Sequence, residues 1–305
     1  MTVTDAVLVI DKPTGPTSFD VVRKIRRAAG TRHVGHGGTL DPLASGVLPV
    51  CLGEATKLAQ FLLDADKEYE VTIALGAETD TDDAQGAVTV RRAAAHVTEG
   101  DLRAALAGFR GPIAQVPPVY SALKRAGRPL YDYARAGEEV AIAPRAVVVH
   151  ELELVAFHDP GAVTLAVRCS KGTYVRALAR DLGRALDVGG HVVALRRTRS
   201  GPFALGDARP LTDVLQALAT ADAGALPAVS LPDALAHLDR RIVSAEAARD
   251  LRLGRKIPWG AVGGEGPGRV CVIDPAGALV AVAEPRADGL ARTLRVFGQS
   301  SAVLH

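Results

Sequence analysis

The sequence predicts an α+β protein, in which a mixed or antiparallel sheet with helices and one insertion precedes a small β-rich C-terminal domain. Before residue 200, segments with strand-like apolar patterns recur between amphipathic helical segments. Residues 117–144 are polar and turn-rich, which indicates an insertion with little core. After residue 232, short apolar runs are separated by glycine and proline, as in small β domains.

Size and composition set limits on the class of protein. The 305-residue chain is long enough for two domains, which we place at 1–228 and 229–305. Hydrophobic residues make up 48%, which excludes general disorder. No apolar run approaches the roughly 20 residues of a membrane-spanning helix, and the N-terminus has no signal-peptide pattern. Three cysteines without a CxxC pair argue against disulfides and structural zinc, so we expect a protein of the reducing cytoplasm.

The first elements follow from apolar runs and helix caps. A strand, Ala6–Ile10, precedes a helix from about Phe19 to Ala29. Thr17 or Ser18 can cap the start of this helix, and Gly30 can take the left-handed position after its end. The other elements predicted before residue 200 are strands at 47–52, 69–75, 147–157, 163–169 and 191–198, and helices at 54–63, 101–109 and 173–186.

Tyr69 belongs to the strand at 69–75, where it shares an apolar face with Val71, Ile73 and Leu75 because side chains alternate along a strand. Beyond residue 200, residues 219–232 are rich in alanine, proline and aspartate and indicate a boundary. The strands predicted after it are 241–243, 269–273, 279–283 and 293–297.

Net charge is only +2, but the basic residues are clustered. Between Val21 and His36 there are five basic residues and no acid, and between Arg168 and Arg199 eight basic residues face two acids. Such local clusters are typical of surfaces that bind a phosphate backbone, and equally of solvated faces.

A glycine-rich loop at 36–46, HGGTLDPLASG, contains Asp41. Its glycines allow a close approach of backbone to a ligand, and Pro42 disfavours helix at Asp41. The loop could therefore present Asp41 to a substrate, or Asp41 could simply hydrogen-bond its own backbone in an Asx-turn.

This loop and several other segments resemble the motifs of the tRNA pseudouridine synthase B family, the bacterial uridine-55 enzymes. The resemblance covers about residues 7–210. Its motifs are, in order, DKP at 11–13, GPTS at 15–18, the loop at 36–46, GEATK at 53–57, KEY at 67–69, TDTDDAQG at 79–86, YSALK at 120–124, SKGTYVR at 170–176 and LRR at 195–197. The resemblance implies a pseudouridine synthase-like fold and, by position and strand pattern, a PUA-like RNA-binding domain at the C-terminus.

The resemblance also implies catalytic roles for three residues. Asp41 is expected to be the nucleophile, Arg176 the cation that keeps its carboxylate ionised, and Tyr69 the ring that stacks on the uracil. From residue type alone, Arg176 could be a surface charge on a helix, and Tyr69 could fill the core. On that helix, Arg180 and Arg184 follow at i+4 and i+8, and we expect both at the surface.

Three further residues are expected near the substrate on the same resemblance. Tyr174 and Leu195 would pack around the extruded base, and His36 would help to hold the opened RNA loop. Taken alone, Tyr174 and Leu195 are more typical of core positions, and a single histidine carries little weight.

The reaction implied is an isomerisation of uridine to pseudouridine in the T-loop, at position 55 of tRNA, without metal or cofactor. The target base is stacked and must be flipped out. We expect the partner to be the T-arm stem-loop of tRNA, bound by the two basic segments and by an insertion, 117–144, that closes on it. No membrane or obligatory protein partner is expected, and the protein should be a monomer.

Two other functions and one metal site compete with this interpretation of the sequence. The basic segments and the C-terminal domain also fit a protein that mainly unfolds and refolds tRNA. A hydrolase using Asp41 with His36 or Ser45 lacks a second acid or base at a usable spacing. The acidic run at 80–86 resembles a calcium loop, but Ala84 and Gln85 break that pattern, so we expect a solvated or RNA-proximal turn.

Overall fold

The computed structural model describes residues 5–121, 123–138, 140–158, 161–263 and 268–298. Ala122 of the YSALK motif and residues 299–305 of the predicted C-terminal domain lie outside these ranges. Among the described residues, every helix is too short or too polar to span a membrane.

The strands are, in chain order, Ala6–Lys12 (β1), Val34–His36 (β2), Ala44–Leu52 (β3), Lys67–Leu75 (β4), Ala77–Thr79 (β5), Val88–Arg91 (β6), Gly111–Gln115 (β7), Lys124–Arg125 (β8), Arg128–Pro129 (β9), Arg145–His158 (β10), Ala162–Cys169 (β11), Gly190–Ser200 (β12), Phe203–Ala204 (β13), Arg209–Pro210 (β14), Ala228–Val229 (β15), Asp239–Ile242 (β16), Val270–Ile273 (β17), Leu279–Pro285 (β18) and Ala291–Val296 (β19). The α-helices are Ser18–Ala28 (α1), Ala59–Asp64 (α2), Glu99–Ala107 (α3), Leu130–Arg135 (α4), Val175–Ala185 (α5), Leu211–Ala219 (α6), Leu231–Ala234 (α7) and Ala245–Arg252 (α8).

The described residues form two compact units. Unit 1 consists of the described parts of Met1–Pro42, Gly46–Ala65 and Arg199–His305, and unit 2 consists of Leu43–Ser45 and Asp66–Thr198. Unit 1 therefore combines the two ends of the chain, whereas unit 2 is built almost entirely from its middle.

Unit 1 is centred on β1, whose residues from Ala6 to Ile10 are fully buried. Strand β1 pairs antiparallel with β3 along its whole length, antiparallel with β15 and parallel with β14. A second sheet has the order β16-β17-β18-β19. One hydrophobic cluster contains Val7 and Phe61 together with Cys271 and Phe297, so the C-terminal sheet shares core with β1 and β3.

Unit 2 contains strands in the order β12-β4-β11-β10-β7. The pairs β4–β11, β11–β10 and β10–β7 are antiparallel. Helix α5 packs on β4 and on α3. Helical periodicity places Val175, Leu178, Ala179, Leu182 and Leu186 on one face; the first four are buried, and Leu186, directly after the helix, is half-buried.

Most predicted elements are confirmed, including the four C-terminal strands. Thr17 caps α1 in a capping box with Asp20, and Gly30 has φ +63° after the end of the helix. The helix predicted at 54–63 is partly wrong, because Gly53–Leu58 is a 3₁₀-helix. It starts without a side-chain cap, and the Thr56 hydroxyl donates to the Gly53 carbonyl, so the regular helix α2 begins only afterwards.

Candidate active site

The loop that contains Asp41 connects β2 with β3 in unit 1. Gly37 and Gly38 are buried, and Gly38 has φ +150°. A side chain at Gly37 would meet Leu62 at 2.8 Å, so glycine there allows the loop to pack closely against α2. Asp41 itself is half-buried, between the buried Leu40 and the half-buried Pro42.

Two backbone anchors flank Asp41. The Ser18 hydroxyl accepts from the Leu40 amide at 2.8 Å and donates to the Leu40 carbonyl at 3.0 Å. On the other side, the Gly15 amide donates to the Pro42 carbonyl at 2.8 Å. Both anchors come from the GPTS motif, in which the sequence indicated only a turn and a helix cap. The position of Asp41 is therefore fixed through its neighbours, which is the property that a catalytic group needs.

His36 ends β2 and is half-buried in unit 1. Its Nδ1 accepts from the Gly38 amide at 3.4 Å, a contact within the same loop. This bond orients the ring at the start of the glycine-rich segment.

Tyr69 lies in β4 of unit 2, opposite Val167 of β11. It follows the predicted alternation with Val71 and Ile73, which are fully buried. Tyr69 itself is only half-buried, so it does not lie fully in the core.

Arg176 lies in the first turn of α5 and is 5% exposed. Its Nη1 donates to the Thr81 carbonyl at 2.8 Å, and its Nη2 donates to the Tyr120 carbonyl at 3.0 Å. Its Nε lies 3.8 Å from the Asp83 carboxylate. The surface alternative for Arg176 is therefore excluded: the guanidinium is buried and held in a fixed orientation.

Tyr174 and Leu195 also lie in unit 2. Tyr174 stands directly before α5, is half-buried and donates its backbone amide to the Gln115 side chain at 2.8 Å. Leu195 is 8% exposed within β12. Ser45, the serine of the hydrolase alternative, accepts from Arg196 at 3.2 Å. Of the predicted site residues, unit 2 thus contains Tyr69, Tyr174, Arg176 and Leu195, and unit 1 contains His36 and Asp41.

The prediction that Arg180 is a surface charge is wrong. Arg180 and Asp82 are each 8% exposed, and Arg180 Nη1 lies 2.9 Å from the Asp82 carboxylate. Burial raises the pKa of Asp82, and the positive charge of Arg180 opposes this rise. Helical periodicity placed Arg180 on the polar face of α5, but that face packs against an acidic turn about a hundred residues earlier in the chain.

The same contact corrects one part of the prediction of a solvated or RNA-proximal turn at 80–86, because its two central residues are not solvated. Asp83 is 4% exposed, and one carboxylate oxygen accepts from the Thr81 hydroxyl at 2.7 Å and from the Gln85 amide at 3.0 Å. Asp82 has φ +59°. The centre of the turn, Asp82 and Asp83, is therefore buried and contacts Arg180 and Arg176, whereas Asp80, Ala84 and Gln85 are exposed.

Arg184, one turn further along α5, confirms the surface prediction. Its side chain is 56% exposed and pairs with Glu78 at 2.6 Å. The hydrogen bond from Arg184 lowers the pKa of Glu78. Within the described ranges, no group of three or more His, Cys, Asp or Glu residues could hold a metal ion. The three cysteines are buried free thiols, as expected from their spacing.

Comparison with known proteins gives this arrangement a family. The model of the TruB family pseudouridylate synthase N-terminal domain matches residues 26–175. The tRNA pseudouridylate synthase B C-terminal domain matches residues 176–248, and the tRNA pseudouridine synthase II C-terminal domain matches residues 238–298.

Individual relatives match most of the chain. The tRNA pseudouridine synthase B of Aromatoleum aromaticum is 51% identical over 86% of this chain and 84% of its own length. That of Thiobacillus denitrificans is 47% identical over 94% of both. Among solved structures, a chain of the crystal structure of a Cbf5-Nop10-Gar1 complex is similar with a TM-score of 0.75 and 28% identity, over 95% of this chain and 84% of that chain.

The fold is thus that of a pseudouridylate synthase with an additional C-terminal β domain. Within that class, the chain belongs to the tRNA pseudouridine synthase B family.

Proposed function

We propose that this protein isomerises uridine to pseudouridine at position 55, in the T-loop of tRNA, with Asp41 as the nucleophile. The observation that carries this proposal is the anchoring of Leu40 and Pro42 by Ser18 and Gly15, which presents a half-buried carboxylate from a fixed backbone. The reaction breaks a C–N bond and forms a C–C bond between the same sugar and base. It therefore requires a nucleophile but no cofactor.

The roles of the other residues rest on the family's motifs and on their own surroundings. Arg176 is proposed as the cation for the nucleophile, and its burial makes its charge effective because solvent screening is weak there. Tyr69 is proposed to stack on the extruded uracil, with Tyr174 and Leu195 around the base. His36 is proposed to hold the opened RNA loop.

We further propose that the partner is the T-arm stem-loop, bound by a monomer in the cytoplasm. The exposed basic residues Arg23, Lys24 and Arg27 of α1 support binding to a phosphate backbone, and such binding weakens as salt increases. Flipping the target base costs a few kcal/mol, which these contacts can offset. We propose 1–228 as the catalytic domain, 117–144 as its mobile RNA-binding insertion, and 229–305 as the PUA-like domain.

Asp41→Asn tests the mechanism. The variant should bind a T-arm stem-loop with unchanged affinity and form no pseudouridine, because the amide is isosteric but is not a nucleophile. Asp213→Asn, on the exposed face of α6, is the matched control and should keep full activity. Pseudouridine is mapped by chemical modification and primer extension on tRNA transcripts with and without uridine at position 55.

The outcomes separate the competing functions. Product at the wild-type level from Asp41→Asn would exclude Asp41 as the nucleophile. If Asp41→Asn fully replaces the wild type in cells that need the protein, tRNA folding is its main contribution. Release of free uracil would instead indicate a hydrolase.

A further inference from the structure

Two arginines on successive turns of α5 join the same pair of segments in unit 2. Arg176 bridges the carbonyls of Thr81 and Tyr120. Arg180 bridges the Asp82 carboxylate and the Val116 carbonyl, with both distances 2.9 Å. The turn at 79–83 is thereby connected to both ends of segment 116–120. The insertion 117–144 begins within this segment.

We propose that Arg180, held by Asp82, is a positioning residue that fixes segment 116–120 and, through Tyr120, the orientation of the Arg176 guanidinium. The proposal rests on the proposed function, because it assigns this segment as the root of the RNA-binding insertion. Arg180 acts through the segment and through Arg176, without contacting the substrate itself.

The geometry of Arg180 suits this role better than a role in stability. Its Nε donates to Asp181 at 2.9 Å while its two Nη atoms bind Asp82 and Val116, so the planar fork is used completely. Burying such an ion pair costs desolvation energy that the charge attraction only partly returns. A buried pair of this kind therefore fixes an arrangement more than it stabilises the fold.

The arginine contacts add to the packing that holds segment 115–121. Pro117 and Pro118 are buried, whereas Val116 and Val119 on either side of them are exposed. The Gln115 side-chain nitrogen and the Ser121 hydroxyl are buried without a hydrogen-bond partner in the part of the chain that is described. Each such group carries a desolvation cost that no hydrogen bond returns. The arginine contacts offset this cost and select one arrangement of the segment.

Arg184 provides a matched control on the same helix. Like Arg180, it forms a salt bridge with an acidic residue of the preceding segment, in this case Glu78. Its hydrogen bonds within the described residues go to Glu78 and do not reach 116–120. Arg184→Ala therefore removes an ion pair from the same helix, although a more exposed one, and leaves the root of the insertion untouched.

The experiment compares full-length Arg180→Ala and Arg184→Ala in two assays. Steady-state kinetics on a T-arm stem-loop should show KM raised about tenfold and kcat lowered several-fold for Arg180→Ala, and both within about twofold of wild type for Arg184→Ala. Limited trypsin digestion should cut at the exposed Lys124, Arg125 and Arg135 at least about threefold faster in Arg180→Ala only, because loosely held segments are cleaved first.

Arg180→Lys keeps a positive charge beside Asp82, and it provides a second test in case Arg180→Ala does not fold. Lysine lacks the planar fork, so KM and the cleavage rate should change in the same direction but less. The proposal is overturned if Arg180→Ala matches Arg184→Ala in both assays, or if folded Arg180→Lys matches the wild type in both. The digestion needs no catalysis, so it tests whether Arg180 fixes segment 116–120 even if the wild-type protein forms no pseudouridine. That second result would reject the proposed function alone.

Discussion

The Ser18 hydroxyl binds both backbone polar groups of Leu40, accepting from its amide at 2.8 Å and donating to its carbonyl at 3.0 Å. Ser18 is 2% exposed and Leu40 is 4% exposed, so water cannot replace either bond in the folded protein. Because Leu40 directly precedes Asp41, a rotation of the peptide that joins them would have to break the bond to the Leu40 carbonyl.

Ser18→Ala should reduce stability and activity together. It leaves two buried backbone groups unpaired, each at a cost of about 1–3 kcal/mol. It also frees the backbone before Asp41, so we expect kcat to fall about tenfold or more. Urea denaturation and single-turnover pseudouridine formation measure the two effects. The control is Thr98→Ala, which removes the helix cap of α3 at a cost of about 1 kcal/mol and should leave kcat unchanged. Equal kcat for both variants would contradict the role of Ser18.

Gly183→Ala should severely destabilise unit 2. A Cβ at this position would lie 2.2 Å from backbone atoms of Gly189 and Gly190, where α5 meets the start of β12. Backbone cannot move aside cheaply, so we expect a loss of about 3 kcal/mol or more. Gly206→Ala is the control, because its Cβ would meet nothing within 4 Å. Thermal unfolding of both variants decides the point, and similar melting temperatures would exclude close helix–strand packing here.

The Glu78–Arg184 pair should make stability depend on pH at the acid end. The hydrogen bond from Arg184 lowers the folded-state pKa of Glu78 below its ordinary value of 4.5. The resulting stabilisation is fully present above that ordinary pKa and is lost as pH falls through the lowered one. Glu78→Gln should therefore lose stability at pH 7 and approach the wild type as the pH is lowered below 4. Denaturation between pH 3 and 7 tests this, and in an Arg184→Ala background the Glu78→Gln effect should largely vanish. A constant difference at every pH would show that the pair does not titrate.

Period-two and helical patterns predicted the long elements because burial on one face dictates them. Strand β4 and helix α5 are examples, and both appear with the predicted core residues. The two-residue strands β14 and β15 were not predicted, since two residues carry no period. They exist because the edge of the buried strand β1 requires hydrogen-bond partners.

Long-range charge pairing limited the prediction of the candidate site. The sequence indicates a polar face on α5, but it does not reveal that Asp82 faces Arg180 across 98 positions of chain. The local pattern allows either Thr17 or Ser18 as the helix cap; Thr17 is the cap, and Ser18 anchors the Asp41 loop. In both cases the side chain's partner lies on another element, where propensity and spacing carry no information.

The composition of unit 1 affects how the chain can fold during synthesis. Strands β1 and β3 are synthesised well before β15, which comes more than two hundred residues after β1, and their hydrophobic cluster extends to Phe297. Unit 2, drawn almost wholly from 66–198, can condense while the residues after it are still being translated. Strand β1 can pair with β3 early, but the core on these strands is completed only when the residues up to Phe297 have been made. A product truncated before them would leave part of that core exposed and be prone to aggregation or proteolysis.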